Sequence, residues 1–138
     1  MPGAEHAHVD TDTLSEVMRG RDPSVQGRAA EYLAEHGHFT FSIITKYEIP
    51  RGQRAKQAER QIAAFEERCR ASDVLPRSDE VVARAAVAYG ELHRAGRLIS
   101  DADILIAATA LVHGLPLVTK NAAHFARIAG LAVNTWKS

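Results

Sequence analysis

The stretch DADILIAATALVHGLPLVTKNAAHF, residues 101–125, decides the predicted fold of this chain. Its first half predicts a short apolar helix that stops at Gly114, and residues 115–119 predict a buried strand that opens into a polar loop. Two acidic residues, Asp101 and Asp103, stand at the start of the predicted helix. Helix capping is the ordinary explanation, because the free N–H groups and the positive end of the helix dipole favour carboxylates there. Whether they also do chemistry depends on what the rest of the chain supplies.

Strands alternate with helices on both sides of this stretch. The predicted strands are residues 7–10, 39–45, 73–76, 115–119 and 131–135. The predicted helices are residues 14–19, 23–36, 53–70, 79–95 and 122–129, together with the helix that begins at Asp101. This alternation predicts a three-layer α/β/α sandwich around a mainly parallel sheet of four to five strands. Helix should clearly outweigh strand.

Helical spacing predicts which side chains enter the core. The predicted buried positions are Val25, Ala29, Tyr32 and Leu33, then Ala58, Ile62, Phe65 and Cys69, then Val82, Ala85, Ala86, Tyr89 and Leu92. Pro50 should interrupt or kink the helix that carries Glu48, because proline removes a backbone donor. His6 and His8 would share one face of the first strand. Two histidines without a third ligand are a weak metal signal, so a frayed, partly exposed strand start is the preferred interpretation.

Length and composition fit one soluble domain over residues 1–138. The chain is 46% hydrophobic, and no apolar run approaches the roughly 20 residues that span a bilayer. No secretory leader is predicted, and the single cysteine, Cys69, fits a reducing cytoplasm. The 17 basic residues balance 17 acidic ones, yet bases outnumber acids over residues 46–60 and no Asp or Glu follows Asp103. A basic rim around an acidic site fits this distribution as well as an ordinary solvated helix face does.

Three acidic residues each lie where a predicted strand gives way to a helix. They are Asp10, Glu48 and Asp103. A parallel sheet would gather them at one edge, although they are far apart in sequence. Because clustered carboxylates repel one another, a hard divalent cation such as Mg²⁺ or Mn²⁺ is the simplest way to keep them ionised. Such a cation serves the hydrolysis of phosphate esters, so this reaction class is the predicted chemistry.

Three segments carry a resemblance to a known family. In the order VDTDTLSEVMR, SIITKYEIPRG and DADILIAATALVHGLPLVTKN, they make the chain resemble PIN domains, specifically the VapC-type ribonuclease toxins of bacterial toxin–antitoxin pairs. The resemblance covers nearly the whole chain. It implies a metal-dependent endoribonuclease that cuts single-stranded or looped RNA, forms a homodimer and is held inactive by a cognate antitoxin protein.

The resemblance also implies roles for individual residues. Asp10, Glu48 and Asp103 match the first three acids of the family, all as Mg²⁺ or Mn²⁺ ligands. Asp12 matches a supporting position. Thr11 and Thr119 are predicted to hold the carboxylates, or water on the metal, by hydrogen bonds.

The fourth acidic position of the family departs from the pattern in this chain. It falls at Asn121, which brings no charge, and His124 stands where relatives often have Asp. Whether one or two metals bind is therefore open, and Asp101 either supplies the missing carboxylate or caps its helix. For RNA contacts, the candidates are Arg51, Arg54 and Lys120, each of which is equally explained as an exposed base. No aromatic-rich stacking platform is present, so a structured RNA is the expected substrate.

Two other functions fit parts of the sequence. Asp10-Thr11-Asp12-Thr13 also resembles the nucleophile motif of haloacid dehalogenase-type phosphatases. Those enzymes need a further acidic motif near the end of the chain, and residues 120–138 contain no Asp or Glu. The second alternative is a PIN-like module that has lost turnover and binds RNA or protein. Asn121 favours this alternative, whereas retention of the three main acids opposes it.

Overall fold

The structure is a computed structural model that describes residues 5–138. Within that range, the helices are α1 Thr11–Arg19, α2 Pro23–His36, α3 Ile43–Ala55, α4 Glu59–Arg70, α5 Asp79–Arg94, α6 Asp101–Val112 and α7 Ala122–Phe125. The strands are β1 His8–Val9, β2 Thr40–Ser42, β3 Asp73–Leu75, β4 Leu117–Val118 and β5 Val133–Asn134. Among these helices, none is both long and apolar enough to cross a membrane.

Every strand pairing in the described residues is parallel, as the sequence predicts. Strands β1, β4 and β5 form one ladder in that order, and β2 pairs with β3 in a second. The two ladders meet where β1 packs beside β2. The predicted sheet of four to five strands is thus present as a group of three and a group of two. Strands of only two or three residues leave little backbone to extend the ladder across that seam.

Alternating side chains of β4 reach two separate cores, and this defines the layers. Leu117 packs with the buried residues of α5 and α6, whereas the next residue, Val118, packs with those of α1, α2 and α4. Successive side chains of a strand point to opposite faces of a sheet. The helices therefore cover both faces, which confirms the three-layer α/β/α arrangement.

Helix boundaries that depend on local signals agree with the prediction. Asp22 caps α2 by accepting hydrogen bonds from the N–H groups of Ser24 and Val25, with Pro23 at the first helical position. Ser78 caps α5 through the N–H of Val81. At the other end of α2, Gly37 adopts a φ of 79°, a left-handed conformation that a side chain disfavours. These caps satisfy backbone groups that the helix ends would leave free.

The region around Pro50 differs from the prediction. The second strand ends at Ser42, whose hydroxyl caps α3, so residues 43–45 are helical rather than extended. Helix α3 then continues through Pro50, because burial of Thr45 and Ile49 holds its inner face in place despite the missing donor. The predicted long helix over residues 53–70 is also wrong. The chain breaks at Gln57, which has a φ of 54°, and α4 packs back against α3.

The buried face of α5 is rotated from the predicted one. Val81, Ala85, Ala88 and Leu92 are buried, and α5 packs against α6. Val82 and Tyr89, both predicted to be buried, remain 47% and 44% exposed. Helix α5 has apolar residues along two adjacent stripes, so its sequence alone does not decide which stripe is buried. Helix α7 is also shorter than the predicted residues 122–129, although Phe125 and Ile128 are both buried.

Candidate active site

Asp10 is held at the junction between β1 and α1. Its backbone N–H donates to the carbonyl of Val118 across 3.0 Å, which continues the pairing of β1 with β4. Its Oδ1 accepts from the N–H of Thr13 at 2.8 Å and caps α1. Asp10 is only 3% exposed. The end of the strand and the start of the helix therefore fix this carboxyl group from both sides.

Burial sets the protonation behaviour of Asp10. Loss of hydration raises its pKa from 3.8 to about 6, because a low-dielectric surrounding disfavours the charged form. Hydrogen bonds from Thr119 and Thr13 oppose this rise in the pKa, and the negative charge of Asp12 adds to it. The site thus holds a carboxylate that a nearby cation would stabilise.

Glu48 reaches the same region from α3. Its Oε1 accepts a hydrogen bond from the hydroxyl of Thr11 at 2.7 Å. Thr11 Oγ1 also lies 2.9 Å from the hydroxyl of Thr45, which donates to it because the single Thr11 proton goes to Glu48. Arg51 lies 3.7 Å from Oε2 of Glu48. The structure therefore brings Glu48 to the residue next to Asp10.

Asp103 lies in the first turn of α6, and Ser100 rather than an acidic residue caps that helix. The Ser100 hydroxyl accepts from the N–H of Asp103 at 3.2 Å. The Asp103 carboxylate instead lies 3.2 Å from Nε2 of His124 on α7. Asp101 is exposed, and within residues 5–138 its side chain has no hydrogen bond or ion pair. Its position in the first turn still favours its charge through the helix dipole.

The loop after β4 joins the site through Thr119 and Asn121. Besides its bond to Asp10, the Thr119 hydroxyl accepts from the N–H of Asn121 at 2.9 Å. The Asn121 amide then donates to Oδ2 of Asp12 at 3.3 Å. Because β1 and β4 are adjacent and parallel, their C-terminal ends open at one edge. This edge holds Asp10, Asp12, Thr119 and Asn121.

The donor set fits a hard divalent cation by its chemistry. Carboxylate, hydroxyl and amide oxygens are the ligands that Mg²⁺ and Mn²⁺ prefer. In the described residues, no three His, Cys, Asp or Glu side chains are already grouped tightly enough to hold a metal. Each carboxylate is turned to its own partner: Glu48 to Thr11, Asp12 to Asn121 and Asp103 to His124. Each of these carboxylates has a second oxygen, which can bind a cation while the contact of the first oxygen remains.

The three predicted RNA-binding residues lie in different surroundings. Arg51 is beside Glu48 and its guanidinium stands 5.3 Å from the centre of the Tyr47 ring. Lys120 is half-buried and directly follows Thr119 at the edge of the sheet. Arg54 instead pairs with Glu66 of α4 at 3.8 Å, which directs it toward the α3–α4 side. Of the three bases, Arg51 therefore contacts a site acid, and Lys120 lies at the edge of the sheet where Asp10 and Asp12 lie.

Several residues of the site were not predicted from the sequence. Thr13, Thr45 and Ser100 all bond to site residues, and only Ser100 has a local signal, as a capping residue before two acids. The prediction for the paired histidines is partly wrong. His8 is fully buried, and burial lowers its pKa to about 3, whereas His6 is exposed and lies 3.3 Å from the hydroxyl of Thr40.

Comparison with known proteins identifies the family. The family model of the PIN domain matches residues 7–131 of this chain. Ribonuclease VapC1 of Methanocaldococcus jannaschii is 35% identical over 87% of this chain and 79% of its own length. The tRNA(fMet)-specific endonuclease VapC of Shigella flexneri is 28% identical over 93% of this chain and 96% of its own. The chain belongs to the PIN-domain family, and the VapC ribonucleases are its relatives within that family.

Solved structures support the same assignment. DNA-bound VapBC from Salmonella typhimurium has a TM-score of 0.84 at 25% identity, covering 96% of this chain and 99% of the other. VapBC-1 from nontypeable Haemophilus influenzae has a TM-score of 0.81 at 27% identity, covering 94% and 97%. The dehalogenase-type phosphatase interpretation is therefore wrong.

Proposed function

We propose that this chain is a divalent-metal-dependent endoribonuclease and the toxin of a toxin–antitoxin pair. The observation that carries the proposal is the meeting of acidic residues from separate elements, with Asp10 after β1 and Glu48 on α3 joined through Thr11. Asp103 completes the set from the first turn of α6. Membership of the PIN-domain family and the ribonuclease names of the relatives support it.

Asp10, Glu48 and Asp103 are the proposed ligands of the cation, which is Mg²⁺ or Mn²⁺. When bound, the cation supplies activation of water and neutralisation of charge at phosphorus. Thr13 and Thr119 hold Asp10 in a fixed orientation, and Thr11 does the same for Glu48. Asp12 and Asn121 support the edge through their mutual hydrogen bond, and Asp101 is proposed to add negative charge from the first turn of α6.

Basic residues beside the acids are proposed to position the RNA. Arg51 lies beside Glu48, and Lys120 lies between two residues that hydrogen-bond to site acids, so a phosphate could reach the site with its charge partly balanced. Arg54, which is turned toward α4, is the weaker member of the proposed set. The substrate class we propose is structured RNA, and the cytoplasm is the proposed location because that RNA is there.

Two protein partners belong to the proposal. The first is a cognate antitoxin, since the similar solved structures are VapBC assemblies. The second is another copy of this chain. Val82 and Tyr89 project from the exposed side of α5, and such contiguous apolar surface favours a protein contact. We also propose that residues 1–138 fold as one domain.

The test is cleavage of a cellular RNA pool by the purified chain with Mg²⁺, Mn²⁺ or EDTA. The matched control is the double variant Asp10→Asn, Asp103→Asn, with folding checked by circular dichroism. We expect cuts that need the metal and disappear in the variant. If both proteins fold, bind RNA and leave it intact with every metal, the chain is the binding module of the alternative interpretation.

A further inference from the structure

Helix α7 presents an imidazole to the acidic edge of the sheet. Nε2 of His124 lies 3.2 Å from Oδ2 of Asp103, and both side chains are about one-third exposed, at 35% and 33%. The neighbouring residue, Phe125, is 1% exposed, so its burial anchors the short helix that carries His124. The His124 ring stands edge-on to Phe125, with the centroids 5.6 Å apart. Packing of Phe125 in the core therefore holds the imidazole of His124 beside Asp103.

The spacing of this pair suits two ligands of one cation. Metal–nitrogen and metal–oxygen bonds of about 2.1 Å that meet at a right angle put the two ligand atoms about 3 Å apart. The distance from Nε2 of His124 to the carboxylate oxygen of Asp103 is 3.2 Å. A small movement of either side chain would admit the ion between them. Neutral imidazole and a carboxylate are both established metal ligands.

His124 lies in a part of the chain that has no carboxylates to offer a cation. No Asp or Glu occurs after Asp103, so the loop after β4 and α7 can offer the cation only neutral donors. Asn121 is turned to Asp12, whereas His124 is turned to Asp103. His124 is thus the donor that this part of the chain directs at one of the proposed ligands.

We propose that His124 is a direct ligand, through Nε2, of the same divalent cation as Asp103. This inference rests on the proposed function. A mixed nitrogen and oxygen set disfavours Mg²⁺, which takes oxygen ligands, and favours transition metals that accept imidazole. The site therefore binds Mn²⁺ in preference to Mg²⁺.

The experiment measures metal binding to the full chain without RNA. Mn²⁺ and Mg²⁺ affinities are determined by calorimetry, and pulsed electron paramagnetic resonance of the Mn²⁺ form detects a bound ¹⁴N nucleus. The variants are His124→Asn and His124→Asp, with His38→Asn as the matched control because His38 is exposed and lies between α2 and β2.

For the parent chain we expect tighter binding of Mn²⁺ than of Mg²⁺ and a ¹⁴N signal. His124→Asn should lower the Mn²⁺ affinity by about 10-fold or more and remove the signal. His124→Asp should also lack the signal but retain binding, with a smaller preference for Mn²⁺. His38→Asn should match the parent in all three properties.

Two results of the binding experiment would overturn the inference. One is a ¹⁴N signal that persists in His124→Asn, and the other is Mn²⁺ binding by the parent chain without any such signal. RNA cleavage separates this failure from failure of the proposed function. If His124→Asn cuts RNA with the parent's metal preference, the nuclease proposal stands and the ligand assignment falls. If no variant binds metal or cuts RNA, both fail.

Discussion

The Thr11 hydroxyl donates to Oε1 of Glu48 across 2.7 Å and so ties the start of α1 to α3. Thr45, itself fully buried, donates in turn to Thr11 at 2.9 Å. The hydrogen bonds from Thr45 to Thr11 and from Thr11 to Glu48 therefore hold Glu48 near Asp10. Carboxylates held this way need little reorganisation when a ligand binds.

Removal of that hydroxyl should impair cleavage with little change in fold. In Thr11→Val the side-chain shape is kept, but Glu48 loses its donor and becomes free to rotate away. We expect the RNA cleavage rate at saturating metal to fall by about 10-fold or more. Thr11→Ser, which retains the donor, is the control and should stay close to the parent rate. Equal rates for the parent and the valine variant would contradict the positioning role.

Asp10 should destabilise the folded chain at neutral pH. Its folded pKa of about 6 lies above the unfolded value of 3.8, so its favourable contribution is complete below pH 3.8 and is lost as the pH rises through about 6. Asp10→Asn should therefore raise the free energy of unfolding by up to about 3 kcal/mol at pH 8. The gain should shrink toward zero at pH 4. Denaturant titrations followed by circular dichroism at the two pH values measure it.

Asp12→Asn is the matched control for that measurement. Asp12 is exposed, so its replacement removes a carboxylate from the same helix start without removing a buried one. Its effect should stay within about 0.5 kcal/mol at both pH values. A loss of stability in Asp10→Asn at pH 8 would show that the hydrogen bonds of Asp10 outweigh its desolvation.

Lys120 should contribute one phosphate contact to RNA binding. Within residues 5–138 its side chain has no hydrogen bond or ion pair, so its charge is available at the edge of the sheet. Lys120→Ala, made in the Asp10→Asn background to prevent cleavage, should weaken binding and lower the salt slope by about 0.7. Fluorescence anisotropy over a range of salt concentrations gives that slope. Arg70→Ala is the control, because Arg70 precedes β3 and so lies toward the opposite end of the parallel strands, and it should leave the slope unchanged.

The exposed stripe of α5 should control self-association. Tyr89→Glu places a charge on the apolar side formed with Val82, and we expect a dimer to become a monomer in light scattering after gel filtration. Because Tyr89 is 44% exposed, the variant should still fold. Val87→Glu is the control, since Val87 is 54% exposed but points to a different side of the same helix. Dissociation by both variants, or by neither, would reject the stripe as the interface.

Features of the fold that depend on neighbouring residues were predictable from the sequence. The caps at Asp22 and Ser78 and the stop at Gly37 each use a side chain or backbone within a few residues. Features decided by tertiary packing were not. Ile43 and Ile44 favour a strand by composition, yet Ser42 caps a helix there. The buried face of α5 follows from contact with α6, which no pattern within α5 specifies.

The residues of the candidate site also fall into two groups, those that the sequence predicted and those that depend on tertiary packing. Asp10 could be found because it follows β1, and parallel strands end at a common edge. The same reasoning is wrong for Asp103, which follows α5 and a loop rather than a strand, and Glu48 lies within α3 rather than at the end of β2. The backbone N–H of Thr13 and the hydroxyl of Thr45 could not be singled out, because threonine occurs at many such positions. The contact of His124 with Asp103 joins residues 21 positions apart. That contact depends on how α7 sits against α6, which the sequence does not encode locally.

Strand β1 and the residue that follows it carry two ionisable side chains whose proton linkages oppose each other. The pKa of His8 falls from 6.5 to about 3 on burial, so below pH 6.5 the unfolded chain takes up a proton that the folded chain does not. From pH 6 to 3.8 Asp10 does the reverse. Each linkage changes stability by about 1.4 kcal/mol per pH unit, with opposite signs. Over that interval the two effects cancel, so together they leave the free energy of unfolding nearly independent of pH. Replacing Asp10 would remove one of them, and the chain would then lose stability in acid because of His8.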